Sequence, residues 1–371
     1  MTLSPDESRF LDLALRLGAR GQGRTWPNPS VGCVIVRGGR IVARAATAPG
    51  GRPHAETQAL AQAGDAARGA TAYVSLEPCA HAGVTPPCAG ALAAAGVARV
   101  VTALADPDPR TAGQGHAALA ASGVEVVAGA APEAARSSHR GFLARVERGR
   151  PWLTLKLATS ADGRIATATG ESRWITGPAA RRMVHAMRAR SDAVLVGAGT
   201  ARADDPELTV RGFGPVRQPA RIVVSRRLEL PEGGRLAARA GAGPGAGPLW
   251  LAHGPDAPAG RVARWRDRGA DTVAVAPGAG GEIDPGRLLE ALAARGVGEV
   301  LCEGGGTLAA SLLSAGLVDE LVTFTAGLAL GAEGQPGIGA LGLHALAEAP
   351  RFALVELRAA GADSMAVWRP L

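Results

Sequence analysis

The chain is poor in aromatic residues, with one Tyr, five Phe and six Trp among 371 residues. That scarcity, and the lack of any Lys/Arg block interleaved with aromatics, excludes a base-stacking platform, so no nucleic-acid partner is expected. The formal net charge of +7, from 40 Lys+Arg against 33 Asp+Glu, nonetheless favours anionic ligands, and small phosphorylated molecules fit it best. There is no uncharged apolar run of about eighteen residues, which removes a membrane-spanning helix from the expectations. The opening MTLSPDESRFLDLALRLGARG reads as an amphipathic helix with acid in its first turn. It has no basic segment followed by an apolar core, so it is not read as a signal peptide, and a cytoplasmic protein is expected. Cysteine is limited to positions 33, 79, 88 and 302, too few and too dispersed for a disulfide framework. Cys33 and Cys302 lie in apolar strand-like runs and read as inert buried thiols. The 52 glycines follow no fixed period, which excludes a collagen-like chain.

What is present suits two α/β domains. The length favours two, and an apolar fraction of 47% supplies two cores. The first part alternates helix and strand: helices at 5–20, 54–63, 87–95 and 114–122, and strands at 31–36, 39–46, 71–76, 98–103 and 124–127. A short basic helix over 138–151 ends in Gly and Pro, placing a boundary between 1–149 and 150–371. Beyond it, strands are expected at 151–160, 192–197, 220–224, 248–252, 272–275, 299–303 and 319–325, with helices at 178–190, 260–268, 285–295 and 307–315. The Gly/Pro-rich run 232–248 reads as a mobile surface loop.

The most chemically informative residues are PHAE at 53–56 and PCAHAGVTPPC at 78–88. His54, Cys79 and Cys88 are soft or borderline ligands, and three of them leave the fourth position of a tetrahedral Zn²⁺ open to water, whose pKa falls towards about 7. Glu56 is then available to carry protons. The pattern is that of the zinc nucleobase deaminases, except that eight residues rather than two separate the cysteines. A closed structural knuckle with His81 as fourth ligand is the alternative. Pro53 and Pro86-Pro87 each precede a helical run, so His54 and Cys88 are expected near two positive helix ends.

Two glycine-rich turns mark the second domain. In VLCEGGGTLAASLLSAG a strand ends at Glu303 and a helix starts at Thr307, leaving N–H groups for a phosphate. The turn at Gly197-Ala198-Gly199-Thr200 begins like a dinucleotide fingerprint, but Arg202 stands at the third glycine position and no ribose-reading acid follows. A Rossmann fingerprint is therefore not supported.

Over nearly its whole length the chain resembles the bifunctional riboflavin-biosynthesis deaminase/reductase family, through PNPSVGCVIV, PHAE, AYVSLEPCAHAGVTPPC, LKLATSADGRIAT, GESRWITGPAARR, DAVLVGAGTARADDPELTVR and EGGGTLAASLLSAGLVDEL. The resemblance implies a cytidine-deaminase-like first domain and a dihydrofolate-reductase-like second domain, both α/β. It implies zinc-dependent deamination of 2,5-diamino-6-(5-phosphoribosylamino)pyrimidin-4-one, then NADPH-dependent reduction of the ribosyl group of the uracil product to ribityl; a homo-oligomer is a separate expectation. Carried over position by position, His54, Cys79 and Cys88 hold zinc, Glu56 shuttles protons and Asn28 contacts the pyrimidine. Ala158, Trp174, Thr200, Asp204, Ser225, Gly305, Gly306, Thr307, Leu308, Ala309, Ala310 and Ser311 correspond to NADP contacts. Ser172, Arg188, Leu208, Arg211 and Glu303 correspond to substrate contacts, and Lys156 is a further candidate beside the nicotinamide or ribose. Arg202 and Arg226 are candidates for the cofactor 2′-phosphate.

Four positions depart from the family's pattern in the deaminase half. Thr47 replaces a His, Val84 a Lys or Arg, Asp108 an Asn and Gln114 an Arg. These losses of donors raise a competing reading, a paralogue deaminating another amino-pyrimidine or a purine. A third reading makes the first domain a zinc-stapled, non-catalytic module.

Overall fold

The computed structural model describes residues 3–80, 86–109 and 111–371. The chain divides into two compact units, Met1–Gly149 and Arg150–Leu371.

The first unit opens with α1 (Pro5–Ala19), whose start is set by Ser4. The Ser4 hydroxyl accepts from the Glu7 N–H (3.3 Å) and the Glu7 carboxylate accepts from the Ser4 N–H (2.9 Å), a reciprocal cap that satisfies two orphan donors. Five strands follow, β1 (Gly32–Arg37), β2 (Arg40–Ala46), β3 (Thr71–Val74), β4 (Arg99–Thr102) and β5 (Glu125–Val127), in the order β2-β1-β3-β4-β5. β1 runs antiparallel to both neighbours, and β3, β4 and β5 are mutually parallel. The helices are α2 (Ala55–Ala63), α3 (Cys88–Ala94), α4 (Gln114–Ala121), α5 (Pro132–Ser138) and α6 (Arg140–Arg148).

Strand alternation explains the layering. Cys33, Ile35, Val74 and Val100 face one core with Ala59 and Leu92, whereas Val34, Val36, Tyr73 and Val101 face another with Leu11, Leu15 and Ala135. Buried on both faces, β1 reads as a continuous apolar run. α1 lies so near it that a Cβ on Gly32 would come within 2.0 Å of the Ala14 carbonyl oxygen, so only glycine fits there.

The second unit is built on a nine-stranded sheet. Its strands are β6 (Trp152–Ser160), β8 (Ala193–Gly197), β9 (Ala220–Val224), β10 (Leu249–His253), β11 (Asp271–Ala274), β12 (Glu299–Cys302), β13 (Glu320–Ala326), β15 (Phe352–Ala360) and β16 (Asp363–Pro370). The order is β11-β10-β9-β8-β12-β6-β13-β16-β15, parallel from β11 to β13 and antiparallel beyond. A two-stranded ribbon pairs β7 (Arg164–Ala166) with β14 (Gln335–Pro336). The helices are α7 (Pro178–Arg190), α8 (Ala198–Asp204), α9 (Arg235–Ala238), α10 (Ala259–Asp267), α11 (Pro285–Ala294) and α12 (Gly306–Ser314). Among the described residues no helix is long and apolar enough to cross a membrane.

The 232–248 run differs from its expected form. It contains α9, and Leu236, Ala237, Ala240 and Ala246 are buried. The fully buried Arg221 on β9 holds it, donating to the carbonyls of Arg239 (2.6 Å) and Gly247 (3.1 Å). Composition signals turns but not a distant guanidinium that satisfies their carbonyls. The β15–β16 hairpin was not anticipated either. β15 is an edge strand whose Leu354, Val355 and Leu357 are all exposed, so the alternation that marks a half-buried strand is missing.

Candidate functional site

In the first unit the chain leaves β3 and places Cys79 five residues beyond it. His54 is the extended residue before α2, and Cys88 is the first residue of α3. The His54 Nδ1 lies 3.4 Å from the Cys88 Sγ and 3.7 Å from the Cys79 Sγ, and the three donor atoms all lie within 4.8 Å of one another. Ligands held tetrahedrally at zinc bond lengths sit about 3.5–3.8 Å apart, so this donor set fits zinc as folded. The Cys88 N–H donates to the Cys79 Sγ (3.4 Å), and the neighbouring Cys88 and His54 hold the Cys79 thiol down to about 4, while Cys79 and burial push the Cys88 thiol up. A bound cation would favour the deprotonated form of both. His81, the alternative fourth ligand, lies outside the described residues, as does Val84.

Glu56 stands in the first turn of α2, buried, and burial pushes its carboxyl up to about 7. A carboxyl poised there can accept and return a proton at neutral pH. Beside it is a cavity of about 390 Å³ lined by Asn28, Thr47, Arg52, Asp106, Asp108, Thr111 and Arg145, among others. The Asn28 amide donates to the Gly51 carbonyl (3.0 Å), and the buried Thr47 hydroxyl accepts from the Val31 N–H (3.0 Å). Gln114 begins α4 and lies outside this lining.

Sequence reasoning missed Glu77. Its buried carboxylate accepts from the N–H groups of Gly115 (2.8 Å), Asp106 (3.0 Å), Gly113 (3.1 Å) and His116 (3.1 Å). It thereby clamps the turn that carries Asp106, Asp108 and Thr111 into the cavity wall. The signal was a lone acid at the end of an apolar strand, two residues before a metal ligand. Ser75 is a second such residue: its hydroxyl accepts from the Gly32 N–H (3.0 Å) and lies 3.2 Å from the Nε2 of the buried His139.

In the second unit a cavity of about 1010 Å³ brings together Lys156 and Ala158 from β6, Ser172 and Trp174 from the loop between β7 and α7, and Arg188 from α7. Thr200 and Asp204 of α8, Leu208, Arg211 and Glu303 complete the sequence-derived part of its wall. Arg188 grips Glu303 with two parallel bonds, Nε to Oε1 (2.5 Å) and Nη2 to Oε2 (3.0 Å), and its Nη1 donates to the Thr209 carbonyl (2.9 Å). Burial alone would raise the Glu303 carboxyl, but the guanidinium overrides it and holds the group below the usual range. Desolvation lowers the pKa of Lys156, the one lysine in the sequence. His185 is driven to about 4 by desolvation and by Arg188 and Arg211, and its Nδ1 accepts from the Arg211 N–H (3.2 Å). Leu208 holds a left-handed backbone, φ 56°, an uncommon conformation for a side chain of that kind. Trp174 is 66% exposed, with the Arg181 guanidinium 4.5 Å above its ring.

The glycine turn adjoins this cavity through one bond, from the Gly305 N–H to the Thr200 hydroxyl (3.0 Å). Gly305, Gly306, Thr307, Leu308 and Ser311 lie outside the lining, as do the buried Ala309 and Ala310. Ser225 follows β9, also outside it, with its hydroxyl accepting from the Glu229 N–H (3.2 Å). Arg202 donates to the Glu229 carbonyl and Arg226 pairs with Asp256, so neither lines the cavity. Cys33 and Cys302 are fully buried with raised thiols, as their apolar runs implied.

A three-residue cluster able to hold a metal beside a buried glutamate, and a second α/β unit around a large cation-lined cavity, fit a two-domain deaminase–reductase. Residues 4–104 match the family model for the cytidine and deoxycytidylate deaminase zinc-binding region, and residues 151–366 match that for the RibD C-terminal domain. The chain is 41% identical over 366 residues to the riboflavin biosynthesis protein RibD of Escherichia coli K12, covering 95% of this chain and 96% of that one. It is 38% identical to the Haemophilus influenzae RibD, covering 100% and 99%. Among solved structures, Acinetobacter baumannii RibD superimposes with a TM-score of 0.89 at 36% identity over 99% of both chains. The diaminohydroxyphosphoribosylaminopyrimidine deaminase/5-amino-6-(5-phosphoribosylamino)uracil reductase of Thermotoga maritima superimposes at 0.84 and 30% identity, again over 99% of both. The chain belongs to the RibD family of riboflavin biosynthesis proteins. It is a bifunctional enzyme, a zinc-dependent deaminase joined to a reductase.

Proposed function

We propose that residues 1–149 deaminate 2,5-diamino-6-(5-phosphoribosylamino)pyrimidin-4-one and that residues 150–371 reduce the ribosyl group of 5-amino-6-(5-phosphoribosylamino)uracil to ribityl. The observation that carries the first half is the convergence of His54, Cys79 and Cys88 beside Glu56. These three would hold zinc, which would supply Lewis acidity to a bound water at neutral pH. Glu56 takes the proton from the attacking water and returns it to the departing amine. Asn28, fixed by the Gly51 carbonyl, orients the ring through its amide oxygen.

In the reductase, bound NADPH would supply the hydride; Ala158, Trp174, Thr200 and Asp204 of the cavity wall, with Ser225 and residues 305–311 beyond that wall, would hold it. Arg188 fixes the Glu303 carboxylate, Arg211 meets the phosphoribosyl anion, and Ser172 and Leu208 bound the sugar. Lys156 contacts the ribose oxygen. The reading carries with it a cytoplasmic homo-oligomer working on small phosphorylated pyrimidines, with no nucleic-acid or membrane partner.

The test supplies the two intermediates separately to the purified enzyme. Ammonia release from the diaminopyrimidine and NADPH oxidation on the uracil compound are both expected. Zinc-loaded protein that turns over neither intermediate refutes the assignment.

A further inference from the structure

The wall of the deaminase cavity divides by charge according to which backbone segment supplies it. Its cationic side chains among the described residues, apart from the ligand His54, are Arg52 and Arg145. They come from the 48–52 turn and from α6, and both segments are tied to the 24–28 loop. The Asn28 amide donates to the Gly51 carbonyl (3.0 Å), the Gly50 N–H to the Arg24 carbonyl (2.7 Å), and the Arg145 Nη2 to the Pro27 carbonyl (3.0 Å). The pyrimidine-orienting Asn28 is thus held in one framework with both guanidinium-bearing segments.

Apart from the proton-carrying Glu56 and the clamping Glu77, the acidic side chains of the wall come from elsewhere. Asp106 and Asp108 belong to the turn clamped by Glu77, and Asp106 accepts from the Asp108 N–H (2.9 Å). Ionised carboxylates only accept hydrogen bonds, so they repel a phosphate and welcome hydroxyl groups. Guanidinium groups do the reverse, binding phosphate through paired donors in a fixed fork.

We infer that Arg52 and Arg145 form the phosphate subsite of the deaminase, and that the Asp106–Asp108 turn faces the sugar hydroxyls. The inference rests on reading this cavity as the pyrimidine site and states how that site selects a phosphomonoester. It also bears on two of the four departures in the sequence: where donors are absent at positions 47 and 84, Arg52 before His54 and Arg145 of α6 supply cations to the wall. The competing reading, a substrate without phosphate, becomes an outcome of the test.

The experiment compares kcat/KM for the phosphorylated substrate and its dephosphorylated riboside in the full-length zinc enzyme, following ammonia release. The wild type is expected to prefer the phosphorylated compound by about 100-fold, since each charge-assisted contact contributes roughly tenfold or more. Arg52→Gln and Arg145→Gln should each cut that preference about tenfold, chiefly through KM. Arg52→Lys and Arg145→Lys should recover part of it, because the charge remains while the fork is lost. Zinc content, and reductase turnover of the separately supplied uracil intermediate, report whether each variant is folded. A preference unchanged in both Gln variants, or equal losses on both compounds, overturns the subsite and leaves the deaminase assignment standing. A wild type that deaminates the two compounds equally well does the same. A folded, zinc-loaded wild type that deaminates neither overturns both.

Discussion

Gly115 is pressed against Pro78: a Cβ at Gly115 would lie 1.9 Å from the Pro78 carbonyl oxygen. The first turn of α4 therefore rests on the residue that precedes a metal ligand, with the Glu77 carboxylate bonded to the Gly115 N–H from the same side. Gly115→Ala has to move backbone, either of α4 or of the Pro78–Cys79 step. Zinc affinity is expected to fall about tenfold or more, as it does when groups supporting a ligand are disturbed. Competition with a chromogenic chelator measures it, and an unchanged affinity contradicts the coupling.

Glu77→Ala strips four backbone donors of one acceptor. Some donors regain water, so the expected loss of stability is about 2–4 kcal/mol rather than four full penalties. Denaturant midpoints give the value. Glu77→Gln keeps an oxygen acceptor but removes the charge, and should fall between the wild type and Glu77→Ala.

Glu56→Gln should lower deamination by about 10²–10⁴-fold, the usual contribution of a positioned acid–base group. Zinc content and NADPH oxidation on the uracil intermediate should be retained, because Glu56 is outside the donor set and in the other compact unit from the reductase cavity. A structural zinc module would show no such loss.

His139 is buried, and burial holds its imidazole down at about 4 against an ordinary value near 6.5. Between those values the unfolded chain binds the proton and the folded one does not. Its contribution is therefore intact above pH 6.5 and is lost as pH falls towards 4, by up to about 3 kcal/mol. Urea midpoints at pH 7 and pH 4.5 should show a steeper acid loss for the wild type than for His139→Gln.

Arg188→Lys retains a charge beside Glu303 but cannot reproduce the two parallel bonds. Reductase kcat/KM is expected to fall about tenfold or more, with ammonia release from the diaminopyrimidine unaffected. Separate assays of the two half-reactions decide it.

Much of this was legible in residue order. The helix at 178–190 is long enough to be read from its sequence, and the strand at 220–224 is legible as a short β-branched run following Pro219. His54 and Cys88 sit at two helix starts because proline before a helical run marks that position whatever surrounds it. The exposed β15 has no such pattern. The pinned 232–248 segment and the clamp by Glu77 depend on partners tens of residues away, for which local patterns carry no information.

The sequence by itself therefore determined the α/β plan, the types of the candidate metal ligands and the glutamate proposed as proton carrier, since these depend on side-chain chemistry and short-range spacing. Tertiary structure alone decided which carboxylates are clamps and which line a cavity, which arginines share a cavity wall, and how Arg188 meets Glu303. Those relations are set by packing between segments far apart in the chain, where distance and burial, rather than composition, fix the charge each group presents.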